Sequence, residues 1–87
     1  MYFFYILRCA DNSLYCGITT DVDRRLKEHN SDNGKSAKYT RSRKPVVLVY
    51  SQKYPSIKDA MRREAEVKKW TKAKKELLVA SVKTASA

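Results

Sequence analysis

The stretch Tyr-Phe-Phe-Tyr-Ile-Leu-Arg-Cys at positions 2 to 9 limits the fold more than any other part of the chain. It is aromatic, β-branched and apolar at successive positions, which predicts a largely buried strand. Asp11-Asn12-Ser13 follows as a turn signal, and Leu-Tyr-Cys-Gly-Ile-Thr at 14 to 19 supplies a partner strand, so a β-hairpin opens the domain. If those three residues form the loop, Cys9 faces Tyr15 and Cys16 faces Arg8. The two sulfurs then point to opposite sheet faces and cannot form a disulfide. Two thiols and a single histidine do not complete a zinc site either, so both cysteines read as reduced packing residues. In this register Tyr5, Cys9, Tyr15 and Gly17 share one face. A two- or four-residue loop would separate the tyrosines, and periodicity does not choose between these loops.

Beyond the hairpin, Thr20 or Asp21 offers an N-cap and Asp23 places negative charge in the first turn, predicting a helix to about residue 30. Residues 35 to 45, Lys-Ser-Ala-Lys-Tyr-Thr-Arg-Ser-Arg-Lys-Pro, have no apolar period. They read as a basic loop closed by a proline ahead of a strand over 46 to 51. Ser56, with Asp59 at the capping-box position, starts a helix over about 57 to 69, and Thr71 caps another to about 82. Residues 84 to 87 are expected to fray. The order ββαβαα predicts one α/β domain over residues 1 to 83, a small three-stranded sheet, mixed or antiparallel, flanked by helices. Eighty-seven residues suffice for one modest core. There is no stretch of roughly 18 apolar residues and no basic leader before the first apolar run, which points to the cytosol and away from membranes.

Charge narrows the partner. Nineteen Lys and Arg oppose nine Asp and Glu, a net charge of +10. Residues 1 to 34 carry net −1, residues 35 to 53 carry +6 with no acidic side chain, and residues 54 to 87 carry +5. An excess concentrated this way favours a polyanion, because lysines and arginines release counterions from phosphates. No Gly-rich phosphate loop, no His-Glu-x-x-His and no nucleophile elbow is present, so any chemistry must come from scattered residues.

Helical phase points to some of them. At about 100° per residue, Arg25 and His29 border the apolar stripe of Val22 and Leu26, whereas Arg24 faces water. As an i,i+4 pair Arg25 and His29 can address one anion, or they can simply snorkel from the stripe edge. On the second long helix Ile57, Ala60, Met61, Ala65 and Val67 define a stripe with Glu64 about 20° from Ile57, in mid-stripe. An unpaired carboxylate there would cost several kcal/mol, so Glu64 should have a cation partner or be protonated, and it reads as a buried salt bridge to a Lys or Arg, a metal ligand or a catalytic carboxylate. Glu66, on the far side, reads as an ordinary solvated charge.

Taken in order, these residues resemble the GIY-YIG nuclease superfamily over nearly the whole chain. The first motif reads Phe3-Phe4-Tyr5 and the second Tyr15-Cys16-Gly17. Arg25 follows ten positions after Tyr15 on the first helix, Tyr39-Thr40-Arg41 comes next as in small single-domain bacterial members, and Glu64 stands on a later helix. The resemblance implies a phosphodiesterase with one divalent metal ion, Mg²⁺ or Mn²⁺. It implies Tyr5 and Tyr15 as active-site tyrosines, Arg25 as the catalytic arginine, Glu64 as the metal-binding glutamate and Gly17 as a glycine permitting close approach. His29 matches a histidine found in some members. In chemical terms Tyr5 is the candidate general base, provided that Arg25 or the metal lowers its ordinary pKa near 10. Tyr15 would orient water or phosphate, Arg25 would neutralise phosphoryl oxygens, and His29 would relay the proton or hydrogen-bond the phosphate. Lys35, Lys38, Arg41, Arg43, Lys44 and Lys68 are the expected contacts to the nucleic acid backbone.

DNA is the expected partner, single-stranded, duplex or branched, with RNA as the other polymer and a protein partner as the source of substrate choice. One basic groove without a helix-turn-helix or zinc finger predicts low intrinsic sequence specificity. The chain departs from the family pattern in having no asparagine after Asn33. That departure leaves a non-catalytic nucleic-acid-binding module as the alternative, and a ribosome- or RNA-associated basic protein as a third reading resting on charge alone.

Overall fold

The structure is a computed structural model that describes residues 1–31 and 34–86, with side chains through residue 81. Its elements are β1 (Tyr2–Arg8), β2 (Leu14–Thr19), α1 (Val22–Asn30), α2 (Lys38–Arg41), β3 (Val47–Tyr54), α3 (Ile57–Lys68) and α4 (Lys72–Ser86). β1 lies at the centre of the sheet order β2-β1-β3 and is antiparallel to both neighbours, so the sheet is antiparallel throughout. A central strand covered on two sides must be apolar at odd and even positions alike, which is why 2 to 9 reads as one unbroken run. Phe4 and Ile6 pack on one face with Cys16, Val67 of α3 and Val79 of α4. Tyr5 and Leu7 pack on the other with Cys9 and Val46, joined by Tyr15 and by Leu26 of α1. The two cysteines are free, buried and on opposite faces, as expected.

The hairpin register differs from the expected one by two residues: Leu7 faces Tyr15 and Ile6 faces Cys16. The cause is the left-handed residue. Asn12 has φ 71°, donates its N–H to the Cys9 carbonyl, and closes a loop in which the Cys9 N–H donates to the Ser13 carbonyl at 2.8 Å. A three-residue hairpin loop takes its left-handed residue last, so Asn12 must end the loop and Ala10 must begin it. A shift of two preserves the faces, and Tyr5, Tyr15 and Gly17 remain together.

Three further expectations change. The basic loop contains the one-turn helix α2, which has a buried threonine, Thr40, despite its lack of apolar period. β3 begins at Val47 and extends to Tyr54, while Val46 is buried in the Tyr5 cluster after the cis Lys44–Pro45 bond. On α3 only Ala60 and Val67 are buried, and Ile57, Met61 and Ala65 are exposed. At about 100° per residue the Ala60–Val67 line lies about 70° from Ile57. The real stripe is therefore narrower and rotated, and Glu64 lies at its margin instead of its middle. Asp21, Ser56 and Thr71 cap the three longer helices as expected, each accepting an N–H from the first turn. The tail expected to fray falls where side chains lie outside the described residues, and Ala87 lies outside them altogether.

α4 is tied to the sheet through Arg8, whose fork donates to both carboxylate oxygens of Glu76 at 2.7 and 2.6 Å. Lys72 reinforces the pair at 2.8 Å. The Arg8 and Lys72 hydrogen bonds pull the Glu76 carboxyl down from 4.5 to about 2. A carboxyl depressed in the folded chain stabilises it above the unfolded value, and that contribution disappears as pH falls through the folded one. Glu76→Gln is therefore expected to cost about 1 kcal/mol at pH 7, with the difference from wild type vanishing near pH 2. Urea denaturation at the two pH values measures this, and an equal difference at both would contradict it.

Candidate active site

The site is built around Tyr5, whose ring must fit on the central strand among close neighbours. Gly17 is its cross-strand partner. A Cβ at Gly17 would stand 2.4 Å from the Tyr5 hydroxyl oxygen and 2.5 Å from Cζ, so only glycine lets the ring lie across β2. The tyrosine is 2% exposed and its hydroxyl needs a protein partner. That partner is His29 in the last turn of α1, with 2.9 Å between the phenol oxygen and Nε2. His29 is fully buried, and its Nδ1 lies 2.8 Å from Oγ1 of Thr40, which is also fully buried. Thr40 in turn donates its hydroxyl proton to the Ala37 carbonyl at 3.1 Å. Tyr15 packs edge-on to the His29 ring at 5.3 Å between centroids. Its own ring stacks on Tyr39 at 5.9 Å, and the Arg43 guanidinium covers Tyr39 at 4.0 Å.

Arg25, one turn before His29, is half-buried and donates to Glu28 at 3.0 Å and to the Lys35 carbonyl at 2.7 Å. Its positive charge acts on the Tyr5 phenol, favouring the ionised form. Arg24 is exposed, as its phase predicted. Arg25 by itself does not bring the Tyr5 pKa below its ordinary value. Burial, helped by Tyr15, pushes it up to about 12 against the opposing pull of Arg25. Burial first, then the Arg25 charge, pushes His29 down to about 4. Near pH 7 the phenol is protonated and the imidazole is neutral. Both imidazole nitrogens are engaged inside the protein, which leaves Arg25 to meet an anion without His29.

Glu64 on α3 is half-buried, and its charge is felt at both Tyr5 and Cys16. Its protein partner is Lys68, 3.5 Å from Oε2, with the lysine 54% exposed and the glutamate 23%. This is a weak lateral i,i+4 pair and not a buried salt bridge. Glu66 is exposed and paired with Arg63. Among the described residues no three His, Cys, Asp or Glu side chains converge on one point. A partly solvated single carboxylate fits a hard divalent cation that keeps several waters, and does not fit a cation that requires a closed set of protein ligands.

The expected nucleic-acid contacts divide into two groups. Lys35, Lys38, Arg41 and Lys68 are exposed. Arg43 instead bridges Asp11 at 3.0 Å and the Tyr39 carbonyl at 2.9 Å, and Lys44 donates to the Ser31 carbonyl at 2.7 Å. These two brace the segment around α2 against the hairpin and the end of α1. Thr40 and Tyr39 are the site neighbours that residue-by-residue reading did not single out. Their signal was the Tyr-Thr-Arg tripeptide itself.

The three-stranded antiparallel sheet with helices on both faces, and the order of Tyr5, Tyr15, Gly17, Arg25 and His29 upon it, agree with the GIY-YIG class of domain. The GIY-YIG catalytic domain matches residues 1–76, and the chain belongs to that family. It is 49% identical over 78 residues to a UPF0213 protein of Bacillus pumilus, covering 90% of this chain and 78% of that one. It is 52% identical to UPF0213 protein NP_0776A of Natronomonas pharaonis, covering 91% of each. Among solved structures it resembles the solution NMR structure of the UPF0213 protein BH0048 from Bacillus halodurans, with TM-score 0.58 and 53% identity over 92% of this chain and 84% of that one. It also resembles the NMR structure of the protein EF2693 from E. faecalis, with TM-score 0.63 and 41% identity over 95% and 86% of the two chains.

Gly17→Ala is expected to cost about 1 to 3 kcal/mol, because the whole Tyr5 ring must move away from the new methyl. The Tyr5–His29 hydrogen bond would be lost with it. Chemical denaturation and the His29 imidazole NMR signals read the two effects, and an unchanged imidazole environment would show that the ring is not held as described.

Proposed function

We propose that the chain is a metal-dependent endonuclease that hydrolyses DNA phosphodiester bonds with low intrinsic sequence specificity. The observation that carries this reading is the buried Tyr5–His29 hydrogen bond beside Arg25, because phosphodiester hydrolysis needs a proton acceptor for water next to a cation for the phosphate. Arg25 would bind the phosphoryl oxygens with its planar fork. Tyr5 would take a proton from the attacking water while passing its own to His29 Nε2. A phosphate on Arg25 would offset the positive charge that helps depress His29, making the imidazole a better acceptor at the moment substrate is in place. Tyr15, braced by Tyr39, would orient the water or the phosphate. Glu64 would hold Mg²⁺ or Mn²⁺, which when bound supplies positive charge to the departing oxygen.

A second reading, a binding module without cleavage, is favoured by the raised pKa of Tyr5 and by the absence of a late asparagine. Single-stranded, duplex and branched DNA incubated with Mg²⁺ or Mn²⁺ separate the two readings. Product formed with metal and abolished by EDTA supports the nuclease, whereas EDTA-insensitive binding to all three without product supports the module.

Glu64→Gln is expected to reduce cleavage by at least about 10²-fold while leaving DNA binding intact. Because its lateral partner Lys68 is exposed and weakly held, stability should change by less than about 1 kcal/mol. Glu66→Gln should leave cleavage unchanged. Normal cleavage by the Glu64 variant would remove the metal site from this reading.

Lys38→Ala with Arg41→Ala should flatten the salt dependence of duplex binding by up to about 0.9 in log–log slope per lost phosphate contact. Arg43→Ala should instead show mainly as lost stability. An unaltered slope in the Lys38/Arg41 double variant places the strand elsewhere.

A further inference from the structure

A proton can pass from Tyr5 to His29 in one imidazole tautomer only. An imidazole with its proton on Nδ1 can accept from Tyr5 at Nε2. The opposite tautomer donates to Tyr5 and cannot take its proton. Two protonation patterns are compatible with the distances between heavy atoms. In the first, Thr40 donates to the Ala37 carbonyl, His29 Nδ1–H donates to Thr40 Oγ1, and Tyr5 O–H donates to His29 Nε2. In the second, Thr40 donates to Nδ1 and Nε2–H donates to the phenol oxygen.

Only the first satisfies every donor. In the second pattern Tyr5 O–H needs another acceptor, and among the described residues its oxygen has no hydrogen-bond partner besides His29. Tyr5 is 2% exposed, His29 and Thr40 are fully buried, and among the described residues no buried side-chain polar atom lacks a partner. A stranded hydroxyl proton in such surroundings is unfavourable.

We infer that Thr40 is a positioning residue: by donating to Ala37 it turns its oxygen toward His29 as an acceptor, and so holds the imidazole in the tautomer that can receive the Tyr5 proton. The residue acts through His29 and does not itself touch substrate. Its place explains why a one-turn helix with no apolar period buries a threonine. The helix carries a hydroxyl to the one point where Nδ1 needs an acceptor. The inference rests on the nuclease reading for its consequence, but the tautomer is measurable without any substrate.

The test is the ¹⁵N spectrum of His29, the chain's single histidine, in the full-length wild type, Thr40→Ser and Thr40→Val, near pH 7 where the imidazole is neutral. The expected result is a protonated-type Nδ1 and an unprotonated-type Nε2 in wild type and in Thr40→Ser. Thr40→Val fills the same space without an acceptor and should shift the proton to Nε2. Cleavage of DNA in Mg²⁺ should fall by about 10²-fold in the valine variant and return to within a few-fold of wild type in the serine variant.

A packing role alone would be met by valine, so wild-type spectrum and cleavage in Thr40→Val would overturn the inference. A wild-type histidine protonated on Nε2 would also overturn it, and that measurement decides the matter even if the valine variant does not fold. If wild-type protein cleaves nothing while its spectrum shows Nδ1–H, the failure belongs to the nuclease reading and the hydrogen-bond assignment stands.

Discussion

A central strand covered on both faces has no solvent side for a hydroxyl, yet β1 carries Tyr5 at its middle. The phenol must be satisfied inside the protein, and each requirement generates the next. Its ring needs space on β2, which Gly17 leaves open. Its hydroxyl needs His29, which obliges α1 to bury an imidazole in its last turn. The imidazole's second nitrogen needs Thr40, which obliges the basic segment after α1 to fold back as a one-turn helix. A chain of buried polar groups of this kind is favourable only when complete, because an unpaired member costs more than a pair gains. Completeness specifies a single arrangement for Tyr5, His29 and Thr40.

The basic surface obeys a division of labour that net charge conceals. Arg8, Arg25, Arg43 and Lys44 all make internal bonds to carboxylates or carbonyls that join separate elements or secure their ends. Arg43 covers the Tyr39 ring, bridges Asp11 and holds the Tyr39 carbonyl, and so ties the hairpin tip to α2. A guanidinium suits this work because its planar fork stacks and hydrogen-bonds together. The exposed Lys38 and Arg41 lie on the outer side of the same braced helix, where a long-range field can attract a polyanion without distorting the site behind it.

Glu64 and Lys68 stand apart from this internal bracing. Their pairing is lateral, exposed on the lysine side and weakly held at 3.5 Å. A carboxylate held that loosely is available to exchange an ammonium partner for a cation, whereas one locked as Glu76 is between Arg8 and Lys72 is not. Two glutamates of similar composition and neighbouring helices thus have different prospects because of geometry alone.

Much of this was legible in the sequence because local rules dominate it. The unbroken apolar run at β1, the caps at Asp21, Ser56 and Thr71, and the even phase that keeps Tyr5, Tyr15 and Gly17 on one face each depend on a few adjacent residues. The ordered tyrosines, glycine, arginine and glutamate identified the family for the same reason. What only the tertiary structure decided involves partners distant in sequence. The hairpin register turned on the left-handed Asn12, a loop property invisible to strand alternation. The rotation of the α3 stripe depended on where the helix meets the sheet, so Ile57 and Met61 remained in water and Glu64 moved to the margin. Burial raises the Tyr5 pKa against the pull of Arg25, since desolvation depends on everything packed around the phenol. Thr40 meets His29 across eleven positions and Tyr5 meets His29 across twenty-four, distances along the chain over which no periodicity or propensity carries information.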